Sequence, residues 1–174
     1  MGRESDMSEN LIGWRILSAV DQIIPGHYAK ARAQNWVSDY APEFLMLEMM
    51  AQTGGLVIGS QHDFAGNVVF AKVESAEFGT TLGTDPFGGS CSGTGSVPNV
   101  EFLIEAFARD GVGEQGSWIE AHILAGETKV AAAKLFLIDA GDLDGSNISV
   151  TFHPEFLEYY QVRQKIDRRP KTED

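Results

Sequence analysis

Cysteine is almost missing: Cys91 is the one thiol in 174 residues. A single cysteine excludes an intramolecular disulfide and gives no basis for a cysteine-ligated zinc site. No apolar run reaches the ~18 residues of a membrane span. The opening decapeptide, MGRESDMSEN, lacks the apolar stretch of a secretory signal and reads as a disordered leader over 1–10. Cations are scarce too, with 13 Lys+Arg against 25 Asp+Glu and a net charge of -12. Such a surface is a poor match for nucleic acid, because phosphate contacts need clustered positive charge. The expectation is a cytoplasmic protein with no metal, no cofactor and no membrane span.

The few cations are unevenly spread. Arg163, Lys165, Arg168, Arg169 and Lys171 put five of the 13 near the C-terminus. Two readings stand: a solvated tail, or a docking patch for an acidic partner.

What is present is globular. Hydrophobic residues make up 43% and charged residues 22%, and the length suits one domain with a sizeable core. Residues 14–24 are mostly apolar and fit a helix or a strand. Pro25-Gly26 signals a turn. From Tyr28 to Val37, long side chains alternate with small ones, as on the two faces of a strand.

Residues 42–59, PEFLMLEMMAQTGGLVIG, carry apolar residues on every side of a helical axis. Such a helix is buried rather than laid on a surface. Ser38 or Asp39 would cap it, and Pro42 suits its first turn. Gly54-Gly55 would let another backbone come close. Residues 67–78, 100–109, 116–125 and 128–138 then read as four strands. Two strands, one long helix and four more strands predict an α+β domain over 11–150, an antiparallel sheet wrapped around a single helix. Residues 83–99, rich in Gly, Ser, Thr and Pro, interrupt it as a flexible insertion. Residues 152–167 predict a terminal helix, with Phe156, Tyr159, Tyr160 and Val162 packing back and the basic tail beyond, so that 151–174 is an appendage.

Glu48 is the residue that stands out. It lies between Leu47 and Met49 in the apolar helix, with Phe44 and Gln52 one turn away on either side. A carboxyl sunk among apolar groups tends to hold a proton, and a neutral acid near pH 7 can work as a general acid. The same residue also fits a structural role, paired with a buried base or set in a subunit interface.

The stretch P-E-F-L-M-L-E-M-M-A-Q-T-G-G, residues 42–55, resembles the central-helix signature of the hotdog-fold 3-hydroxyacyl-[acyl carrier protein] dehydratases. The matching positions are Pro42, Leu45, Leu47, Glu48, Ala51 and Gln52. The I-I-P-G-H-Y and V-F-A-K-V-E-S-A-E-F segments resemble that family's flanking strands, and A-G-E-T-K-V-A-A-A-K-L-F-L its last hairpin. The likeness runs over about residues 14–138, apart from 83–99. It implies a hotdog fold and a 3-hydroxyacyl thioester, linked to acyl carrier protein or coenzyme A, with Glu48 as the acid at the β-hydroxyl. Gln52, Asp39, Tyr40 and Phe44 become candidate substrate-binding residues. It also implies a homodimer or higher oligomer, with two sheets joined edge to edge.

One departure is plain. The family's catalytic histidine lies in an H-F-P-G stretch before the helix, where this chain reads NWVSDYAP. Its glycine after the proline is Glu43 here. His27, His62, His122 and His153 read as surface or packing histidines. Three functions therefore compete: a dehydratase, a thioesterase whose Glu48 activates water, and a non-catalytic acyl-binding protein.

Overall fold

A computed structural model describes residues 16–34, 41–66, 68–79, 100–114, 116–139 and 154–167. The expected leader, the 83–99 insertion, Asp39, Tyr40, Cys91, His153 and the tail beyond 167 lie outside them. The chain runs β1 (Ala19–Ile24), β2 (Tyr28–Gln34), α1 (Pro42–Gln61), β3 (Val68–Phe78), β4 (Glu101–Phe107), β5 (Ser117–Ala125), β6 (Thr128–Asp139), α2 (Pro154–Tyr159) and a 3₁₀ turn (Val162–Lys165). The six strands form one antiparallel sheet in the order β1-β2-β4-β5-β6-β3. Within the segment 14–24 the strand is Ala19–Ile24, and the strands after the helix fall close to where the sequence placed them.

The alternation in β2 explains how the sheet holds the helix. Ala29, Ala31 and Ala33 are wholly buried, and Tyr28, Lys30 and Arg32 face the other way. Small side chains on the inner face leave room for a helix to lie close. Ile104 of β4, Ile119 and Ile123 of β5, and Leu135 of β6 complete that floor, each fully buried. α1 touches all six strands. Met49, Met50, Leu56, Val57 and Ile58 are buried around its axis, whereas Phe44 in its first turn is exposed. Deleting a buried Met side chain here costs about 2–5 kcal/mol.

Three expectations need correction. The helix is capped by Ala41, with no side-chain cap bond, rather than by Ser38 or Asp39. Pro42 opens the helix at a position where its missing N–H is no loss. At Gly54 the close neighbours are side chains, not backbone. A Cβ there would stand 3.0 Å from Ile119 Cγ2 and 3.0 Å from Leu137 Cδ1. The terminal helix, expected as one piece, is broken between α2 and the 3₁₀ turn, where Gln161 adopts a left-handed φ of 50°. Tyr160 and Val162 pack into the core as expected, and Phe156 lies partly buried against it. Tyr159 is 55% exposed.

Candidate functional site

Glu48 lies a little less than two turns into α1, where the helix passes the β3 and β6 end of the sheet. It is half-buried rather than sunk in the core. The i to i+4 spacing puts Gln52 beside it, and Gln52 Nε2 donates to Glu48 Oε1 at 2.8 Å. Gln52 itself is buried, so the amide is held in place and orients the carboxyl. Glu48 Oε2 has no protein partner among the described residues.

The pair borders a small hollow of about 70 Å³. Ala51 and Gly55 form its helical side; Val68, Phe70 and Leu137 of β3 and β6 form the other. The small residues follow from spacing, since 51 and 55 share a helix face with 48 and 52. The arrangement offers one carboxyl oxygen to a reacting group, in a mostly apolar wall. The volume is that of about two water molecules.

Of the other residues singled out in the sequence, Phe44 does not join this hollow. It lies one turn earlier and is 55% exposed. Asp39 and Tyr40 fall outside the described residues. No described histidine comes near Glu48. His27 follows the Pro25-Gly26 turn, whose Gly26 N–H donates to Val57 O in the far half of α1. His62 follows the helix end, about 21 Å along the axis from Glu48 at 1.5 Å per residue. His122 projects from the opposite face of the sheet.

That opposite face holds a cluster that sequence reasoning missed. Glu105 of β4 accepts a hydrogen bond from Tyr28 Oη on β2 at 2.6 Å. Its other oxygen lies 3.0 Å from His122 Nε2 on β5. Burial pushes the Glu105 carboxyl up, but the bonds from Tyr28 and His122 and the nearby positive groups outweigh it, and the net shift is downward. Burial, then the bond to Glu105 and its charge, push the Tyr28 phenol above its ordinary value. Burial alternation in the structure turns all three outward, and the register across β2, β4 and β5 brings them together. Among the described residues no group of three or more His, Cys, Asp or Glu could hold a metal ion, and no helix is long and apolar enough to cross a membrane.

No family model matches the chain, and no curated protein matches its sequence. Solved structures do match its shape. A conserved protein of Pseudomonas aeruginosa superposes with a TM-score of 0.52 at 19% identity, over 77% of this chain and 93% of that one. A Streptococcus mutans protein solved with acetyl CoA gives 0.51 at 13%, over 71% and 88%. The dehydratase heterocomplex ApeI:P of Xenorhabdus doucetiae gives 0.51 at 14%, over 74% and 85%. Identities this low establish a shared fold and nothing about activity. The fold is the hotdog arrangement of an antiparallel sheet on one main helix.

Proposed function

From a hotdog fold whose main helix sets the Glu48 carboxyl beside a hollow, we propose that this protein binds 3-hydroxyacyl thioesters beside Glu48 and dehydrates them. The observation that carries the reading is the half-buried Glu48, oriented by Gln52 at 2.8 Å and opening on an apolar hollow. In the proposed step Glu48 gives its proton to the β-hydroxyl. The C–O bond breaks, water leaves, and a solvent water takes the α-proton to yield the enoyl thioester. Binding of acetyl CoA by one structural neighbour and the dehydratase activity named for another support a thioester ligand.

A hollow of about 70 Å³ is too small for an acyl chain. Two of its walls, Val68 and Phe70, belong to β3, the last strand of the sheet. A second copy paired along that edge would extend the hollow into a slot. The functional unit in this reading is therefore a homodimer with its sites at the seam.

One observation favours a second reading. With no described histidine near Glu48, its carboxylate is also suited to activate water for thioester hydrolysis. A single assay separates them. The protein is incubated with 3-hydroxyacyl and plain acyl thioesters, and enoyl product and free thiol are followed separately. The dehydratase reading expects enoyl product, reduced about 10²–10⁴-fold in Glu48→Gln. Thiol release from both substrates, with no enoyl product, overturns it in favour of hydrolysis. Neither product, with thioester still bound, leaves a binding protein.

A further inference from the structure

The outward faces of β2, β4 and β5 converge on Glu105, which anchors His122 through Nε2 at 3.0 Å and Tyr28 through Oη at 2.6 Å. Lys30 lies opposite Glu105 in the β2–β4 register. His122 Nδ1 has no protein partner among the described residues. The Phe107 ring is stacked near His122, centroid to centroid 5.7 Å, and 5.0 Å from Tyr28. His122 and Phe107 form one side of an open hollow of about 710 Å³. This face of the sheet is turned away from α1 and Glu48.

The charges around the hollow are not equivalent. Arg109 is held by Glu120 at 2.6 Å, and Lys134 by Glu74 at 2.6 Å. Lys129 lines the same hollow and is paired with no acid among the described residues. Glu77 is the remaining acid on the rim. One free cation, one anchored imidazole with an open nitrogen and one aromatic wall are thus left facing the same space. A carboxylate satisfies the first two, and an apolar body satisfies the third.

The geometry points to a second ligand site, separate from Glu48, that takes a small organic carboxylate between Lys129 and His122 with its apolar part on Phe107. With Nε2–H committed to Glu105, Nδ1 donates to a carboxylate once the ring is protonated. Binding through that Nδ1–H therefore takes up a proton and strengthens as pH falls.

The test uses sodium benzoate as the probe and the full-length protein. Calorimetry gives the affinity at about pH 6 and about pH 8, and NMR follows the His122 ring signals. Saturable binding is expected at the lower pH, several-fold weaker at the higher, with the His122 resonances moving on titration. Lys129→Gln and His122→Gln should each weaken binding about tenfold, the loss of one charge-assisted contact. His122→Gln should also abolish the pH dependence. Benzamide, neutral and of the same shape, should not compete. The site is overturned by unmoved His122 resonances, by benzamide competing as well as benzoate, or by unchanged affinity in folded Lys129→Gln. The exposed Lys129 side chain keeps that variant informative if His122→Gln fails to fold.

Discussion

The two edges of the sheet are finished in different ways. At the β1 edge the chain closes on itself. Ile166 forms a parallel bridge with Ile23, and Asp167 N–H donates to Ile23 O at 2.8 Å. Tyr160, buried, donates its hydroxyl to the carbonyl of Leu17. At the β3 edge no described element lies beyond the strand. Ala71, Lys72 and the run 74–77 are exposed there, and Phe70 is 43% exposed. Unpaired N–H and C=O groups along a strand invite pairing with another chain. Among the described residues, the segment around Tyr160–Asp167 covers one such edge and nothing covers the one beside Glu48. β3 also slips register against β6 between Phe70 and Lys72 and between Val73 and Ser75. Such bulges re-aim side chains and are common near functional sites.

The contrast can be broken from either side. Tyr160→Ala removes the ring that anchors the β1 cap and should lower stability most, by about 3–5 kcal/mol, read from chemical denaturation. An unchanged midpoint would mean that the C-terminal segment is not a structural cap. At the other edge, Phe70→Asp places a charge on the open strand. In the proposed dimer it should raise the dissociation constant at least about tenfold, measured by light scattering across a dilution series. A wild-type monomer at micromolar concentration would remove the edge-pairing reading outright.

Between the edges lies Glu105, on the central strand β4. Its folded pKa is lowered, so its stabilisation is present above the ordinary carboxylate value of 4.5 and fades as pH falls through the folded value. Tyr28 is shifted upward, so its stabilisation holds below its ordinary value of 10.0 and is lost as pH rises through the higher folded one. Glu105→Gln should cost about 1–2 kcal/mol at neutral pH and reduce the loss of stability on acidification. A thermal melt series against pH reads both. The smallest effect belongs to Arg163, whose exposed bridge to Asp63 spans 3.1 Å. Arg163→Gln should change stability by less than about 1 kcal/mol. A larger loss would make the basic segment part of the cap.

Legibility in the sequence followed the range of the interaction. Helix periodicity placed Glu48 and Gln52 on one face, and the bond between them forms as that spacing requires. Period-two alternation separated Ala29, Ala31 and Ala33 from Tyr28, Lys30 and Arg32. Alternation says nothing of which residue faces which across strands. The Tyr28, Glu105 and His122 cluster therefore went unseen. The break at Gln161 was hidden for a related reason. No glycine or proline marks it, and the residues beyond it follow the β1 edge they pack against.

The order of amino acids was enough to specify a buried helix, its flanking strands and a carboxyl one turn from an amide, because each depends on contacts a few residues apart. Three-dimensional packing settled that Glu48 is half-buried beside β3, that β1 is covered, and that a histidine and a tyrosine 94 positions apart bind one carboxylate. Those outcomes depend on strand register and sheet order, and both are selected by the whole core at once.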